Sequence, residues 1–127
     1  MRKMTVMASI LAITQLGGGC ARHDASRDRA IALTGGDAKR GADVVRTYRC
    51  GSCHEIPGIR GADGNVGPPL TNLVHRGFIA GQLPNTPANL VRWIKDPPAV
   101  EANTAMPVLG LSEQQARDVA AYLYASG

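Results

Sequence analysis

The chain has 127 residues, with fifteen glycines, eight prolines and only five aromatic residues (Tyr48, Phe78, Trp93, Tyr122 and Tyr124). That length fits one compact domain, and composition leaves open whether its core is a small Ala/Val/Leu core or is completed by a bound apolar group. The formal charge of +4 includes Arg2 and Lys3, which precede the first acid, Asp24; what remains is too balanced for the dense basic face of a nucleic-acid binder.

Residues 1–19 read as a signal peptide. Arg2-Lys3 is a short positive segment, Met4 to Leu16 is mostly apolar, and Gly17-Gly18-Gly19-Cys20 supplies small residues for cleavage. The apolar stretch is too short and too polar to span a bilayer. Residues 20–35 are polar at first and lack a strong period, so a tether is expected there; fifteen flexible residues would span about 20 Å. The domain proper is expected over 36–127.

Three helices are legible in it. The first runs from about Asp37 to Arg49, with Gly41, Val44, Val45 and Tyr48 on one face. The second starts with Thr86 as N-cap and Pro87 in the first helical position, buries Leu90, Trp93 and Ile94, and stops at Pro97-Pro98. The third opens with a capping box, Ser112 and Gln115, and carries the stripe Ala116, Val119, Ala120 and Leu123. No strand-like alternation of useful length appears. The stretch from Glu55 to Asn85 holds six glycines. It is long for a loop unless the chain surrounds a ligand, with a short turn of helix around Leu70 to Val74.

At the end of the first helix stands Cys50-Gly51-Ser52-Cys53-His54, the C-x-x-C-H pattern of covalent haem attachment. Two thiols three positions apart can add to the two vinyl groups of one porphyrin, and His54 then sits beneath the iron as an axial ligand. The alternatives are a structural zinc site and a redox disulfide. Zinc needs four ligands, and beyond the motif only Cys20, His23 and His75 remain. The disulfide needs a thioredoxin-like alternation of strands and helices. For the sixth iron ligand the candidate is Met106, which lies between the second and third helices, before Pro107, and is the only methionine beyond residue 7. A thioether raises the reduction potential and suits ferrous iron; the alternatives are His75 as ligand and Met106 as a core filler. A proline carbonyl in Gly67-Pro68-Pro69-Leu70 could accept the free ring N–H of His54 and raise its basicity.

Over residues 36–126 the chain resembles the class I c-type cytochromes, and its V-G-P-P-L, P-N-T-P-x-N-L and T-A-M-P strings are similar to small bacterial cytochromes associated with respiratory oxidases. The resemblance implies an all-α fold of three main helices and long loops around one covalent haem c. It pairs Gly41 and Val45 with Ala120, Tyr122 and Leu123, makes Cys50, Cys53 and His54 the attachment site, and assigns the carbonyl contact to Pro68. It also places Arg76 near a propionate, Trp93 beside the methionine side of the haem, and Met106 on the iron. Where the family often has a Trp or Tyr near a propionate, this chain offers Gln82 and Asn85. Cys20 resembles a lipoprotein acceptor, the alternative being ordinary cleavage nearby, for instance after Ala21.

The function expected is one-electron transfer between redox proteins, with a membrane terminal oxidase or other respiratory complex as partner and no enzymatic activity. The expected location is the periplasmic side of the inner membrane, lipid-anchored or soluble. Two further readings stay open at this stage: a haem enzyme or gas sensor with an open distal site, and a permanent subunit of a larger complex.

Overall fold

In a computed structural model, residues 20–126 are described, and the expected signal peptide lies outside them. Four α-helices are present among the described residues: α1 (Cys20–Thr34), α2 (Ala38–Thr47), α3 (Pro87–Lys95) and α4 (Glu113–Ala125). Three short 3-10 turns cover Cys50–Ser52, Leu73–His75 and Pro97–Ala99, and a two-stranded antiparallel ladder pairs β1 (Phe78–Ile79) with β2 (Leu83–Pro84). No described helix is long and apolar enough to cross a membrane.

The three expected helices start where their capping chemistry dictates. Asp37 accepts from the Arg40 N–H (2.8 Å) ahead of α2. Thr86 accepts from the Asn89 N–H (3.2 Å) ahead of α3, with proline in its first turn. Ser112 and Gln115 form the reciprocal capping box of α4. Each cap satisfies amide donors that the first turn leaves without an intrahelical acceptor.

Helix α4 is the centre of the packing, with Ala116, Val119, Ala120, Ala121, Leu123 and Tyr124 all buried. Helix α2 crosses it where Gly41 lies against the α4 backbone. A Cβ at Gly41 would fall 2.0 Å from the Asp118 carbonyl oxygen, so only glycine permits this approach. Val45, one turn on, is then 1% exposed in the core.

The segment 20–34, expected to be a polar tether, is helical, which corrects that expectation. Its polar residues hide a short apolar patch at the C-terminal end: Ala30 and Ile31 pack on the core, and Thr34 is buried. The helix lies against α4 and α3. Its end is fastened by Thr34 Oγ1, which donates to the Ile31 carbonyl (2.6 Å) and accepts from the Gly36 N–H (3.0 Å), and by Arg117, which donates to the Thr34 carbonyl (3.0 Å).

The junction of α1, α2 and α4 holds a buried carboxylate that the helical pattern did not reveal. Asp118 accepts from the Asp37 N–H (2.8 Å), from Arg40 Nε and Nη2 (2.9 Å each) and from Gln114 Nε2 (2.9 Å). Burial alone would raise its pKa. The hydrogen bonds from Arg40, the Asp37 amide and Gln114 outweigh burial and hold the carboxyl below its ordinary value.

Candidate functional site

The site begins with a sharp change of direction at the end of α2. Arg49 has φ 55°, in the left-handed region that costs a side-chain-bearing residue about 1–2 kcal/mol. This bend leads directly into the 3-10 turn at Cys50–Ser52. The turn is closed by Ser52 N–H and Oγ, both donating to the Arg49 carbonyl (2.9 and 2.8 Å), and by Cys53 and His54 N–H groups donating to the Cys50 carbonyl (3.2 and 3.1 Å). Cys50, Cys53 and His54 all face one cavity as a result. Both cysteines are unpaired and half-buried, and burial pushes the Cys50 thiol above its ordinary pKa.

The chain after the motif folds back on it. Ile56 N–H donates to the Ala62 carbonyl (3.1 Å), Gly64 N–H to Gly51 (3.1 Å), Gly67 N–H to Cys53 (2.8 Å) and Leu70 N–H to Glu55 (2.8 Å). These bonds set Pro68 beside His54, whose Nδ1 lies 2.8 Å from the Pro68 carbonyl oxygen. A carbonyl only accepts, so Nδ1 carries the proton and Nε2 keeps its lone pair. That is the tautomer a metal ligand needs, and the same contact fixes the orientation of the ring. Gly67 is packed against the ring: a Cβ there would lie 2.2 Å from His54 Cε1. The motif string drew attention to the prolines, but this glycine is as necessary to the ring's position.

The cavity has a volume of about 460 Å³, within the ~300–1,000 Å³ usual for cofactor sites. Its walls are mainly apolar, formed by Val45, Ile56, Leu70, Leu73, Leu90, Ile94, Leu109, Leu111, Val119 and Leu123, with Phe78 and Ile79 from the strand ladder. Met106 and Trp93 line it, as does Arg76. Arg76 Nη2 donates to the Pro69 carbonyl and to the Thr71 carbonyl (3.0 Å), which ties the loop over the motif to the cavity wall. Gln82 and Asn85, the polar residues considered for the propionates, are both engaged within the protein. Gln82 donates to Glu101 (3.0 Å). Asn85 donates to the Leu73 and Arg76 carbonyls (2.7 and 2.8 Å) and accepts from the Tyr124 hydroxyl (2.8 Å). Tyr124 is buried, and burial raises its pKa to about 12, so it acts as a neutral donor.

The alternatives to haem find no support in this geometry. Among the described residues there is no group of three or more His, Cys, Asp or Glu able to hold a metal ion. His75 is exposed on its 3-10 turn and is not one of the residues lining the cavity. The strands are two residues long, far from the alternating sheet of a thioredoxin-like fold. Two thiols and an imidazole with a free Nε2, on the edge of a large apolar cavity, do fit a covalently attached haem. The expectation for Cys20 concerns a side chain outside the described set.

The comparisons agree with that fit. The cytochrome c family profile matches residues 38–126, most of the chain. Over 87 residues, 68% of this chain, the sequence is 36% identical to cytochrome c oxidase subunit 2 of Alkalihalophilus pseudofirmus. The match covers 25% of that protein, so the chain spans about a quarter of the relative's length. No solved structure matches. With C-x-x-C-H at the cavity edge and the family match running through both sides of the cavity, this chain belongs to the cytochrome c family, whose covalent c-type haem serves electron transfer.

Proposed function

We propose that this domain is a one-electron carrier or subunit of a bacterial respiratory chain, with His54 Nε2 and Met106 as the axial ligands of its haem iron and a terminal oxidase as its electron acceptor. The observation that carries the ligand assignment is the joint placement of His54, in its Nε2-free tautomer, and Met106 on one apolar cavity that also holds Cys50 and Cys53. The haem supplies the one-electron couple; the protein's part is to hold it, set its potential and exclude water. Cys50 and Cys53 anchor it, so it stays bound through repeated turnover. The Pro68 carbonyl orients the imidazole, and Met106 favours the ferrous state.

Two ligands from the protein leave no coordination position for a substrate, which supports a carrier rather than an enzyme. His75 and Arg76 give an enzyme reading little help, since His75 is exposed and Arg76 is engaged with backbone carbonyls. Delivery to an oxidase is supported by the likeness to an oxidase subunit. The location proposed is the periplasmic side of the inner membrane. If Cys20 bears a lipid there, α1 leads from the anchor into the domain, on which its C-terminal end packs.

Expression with the haem-attachment machinery tests the reading. The denatured protein retains haem colour and the added mass, and the double substitution of Cys50 and Cys53 by Ser loses both. The purified protein cycles reversibly by one electron. Cys20→Ser moves the protein from the membrane fraction to the soluble one, still haem-loaded, and deletion of the whole protein slows oxidase-dependent respiration. Recovery of a stably folded, haem-free wild type would contradict attachment. Unchanged respiration would remove the oxidase as acceptor.

A further inference from the structure

The chain that carries Met106 has a fastening of its own. Residues 101–106 form a turn in which the Thr104 N–H donates to the Glu101 carbonyl (3.0 Å) and the Asn103 N–H donates to Glu101 Oε1 (3.1 Å). Thr104 Oγ1 then accepts from the Met106 N–H (3.2 Å). The second carboxylate oxygen of Glu101, Oε2, accepts from Gln82 Nε2 (3.0 Å). One carboxylate therefore both shapes the turn before Met106 and ties it to the β1–β2 hairpin.

The hairpin is suited to be the fixed partner. Its turn is closed by the Gln82 N–H donating to the Ile79 carbonyl (3.0 Å), and its two central residues, Ala80 and Gly81, both have positive φ, as in the tight primed hairpin turns. Ile79 is buried, which roots the hairpin in the core. Glu101 and Met106 line the cavity, and so do Ile79 and Ala80. The Gln82–Glu101 bond joins these two lining segments.

We propose that Glu101 and Gln82 form a latch that holds the Met106 loop closed over the cavity, so that both are positioning residues for the axial thioether. This rests on the assignment of Met106 as ligand. With the latch made, the loop keeps its turn and the methionine stays on the iron. With it broken, the loop opens more often, and an external ligand can reach the sixth position. The haem, its attachment and the His54 side are unaffected, because none of their contacts involves Glu101 or Gln82.

The test uses the haem-loaded protein and its Gln82→Ala, Glu101→Ala, Glu101→Gln and Gln82→Ala/Glu101→Ala variants. The rate of imidazole binding to the ferric protein is followed by loss of the thioether–ferric charge-transfer band, and amide hydrogen exchange is measured at Asn103, Thr104 and Met106. Gln82→Ala should speed imidazole binding about fivefold, the size expected for one ordinary hydrogen bond at an exposed site. Glu101→Ala, which loses the Asn103 contact as well, should speed it about tenfold or more. Glu101→Gln keeps one acceptor oxygen in place of two and should fall between wild type and Glu101→Ala. The double variant should be no faster than Glu101→Ala alone, because the two side chains act through one contact. Rates within twofold of wild type, or additive effects, would overturn the latch. If wild type lacks the thioether band, the ligand assignment fails. Exchange at Asn103, Thr104 and Met106 then decides the latch separately: faster exchange in Glu101→Ala supports it, and unchanged exchange removes it.

Discussion

The motif segment, residues 50–70, and the methionine loop, residues 101–106, line the same cavity but are held in different ways. The motif segment is bound to itself by backbone hydrogen bonds at 51–64, 53–67, 55–70 and 56–62, with His54 clamped between the Pro68 carbonyl and Gly67. The methionine loop is shaped by Glu101 and Thr104 side chains, and its tie to another part of the chain is Gln82–Glu101. Backbone ladders cannot be removed by one substitution and leave little room for rearrangement, whereas a side-chain latch can open. The attachment side is thus built to be permanent, and the methionine side to be adjustable.

The contrast is broken most severely at Gly67. Gly67→Ala would push a methyl into the His54 ring, and the backbone bond from Gly67 to Cys53 prevents the loop from backing away. The expected loss is about 1–3 kcal/mol of stability, together with a changed reduction potential as the Pro68 contact is disturbed; thermal unfolding and a redox titration measure both. An unchanged potential would show that the ring tolerates the methyl without moving.

Asp118 sharpens the comparison by loosening both sides at once, since it fastens the junction on which α2 and α4 meet. Its carboxyl titrates below its ordinary value. The stabilisation it contributes is therefore fully present above that ordinary value and is lost as pH falls through the lower, folded-state value. Asp118→Asn should cost about 1–3 kcal/mol near neutral pH and flatten the acid limb of the stability curve. A mutant with the same acid dependence as wild type would assign that limb to other groups.

A smaller effect is expected at Tyr124. Its hydroxyl holds Asn85, which in turn holds the Leu73 and Arg76 carbonyls at the cavity wall. Tyr124→Phe leaves the Asn85 oxygen without that donor and should cost about 1–2 kcal/mol, with hydrogen exchange rising in 73–77 and not in 50–56. Equal increases in both would mean that the cavity opens as one unit.

What the sequence made legible follows the same division. The helix starts at Asp37, Thr86 and Ser112 and the C-x-x-C-H turn depend on residues within three or four positions of one another, and local spacing displays them. The Pro68 contact spans fourteen residues but lies in a recognisable string. The contacts that escaped are long-range pairs of ordinary residues. Glu101 meets Gln82 nineteen positions away, and Asp118 meets Asp37 and Arg40 about eighty positions away. Asp118 also sits in a stripe of small apolar residues, where a carboxylate reads as part of the solvent face. Helix α1 escaped because its apolar patch is only Ala30, Ile31 and the neighbouring Thr34, too short to give a period across fifteen residues of mixed charge.

Completion by Met106 of the coordination begun at His54 is tested by the ferric absorption spectrum and midpoint potential of wild type beside Met106→Ala. Wild type should show a thioether–ferric charge-transfer band that the variant lacks, and the variant should have a lower potential and bind small external ligands rapidly. An unchanged band and potential in the variant would remove Met106 as a ligand and leave it as packing alone.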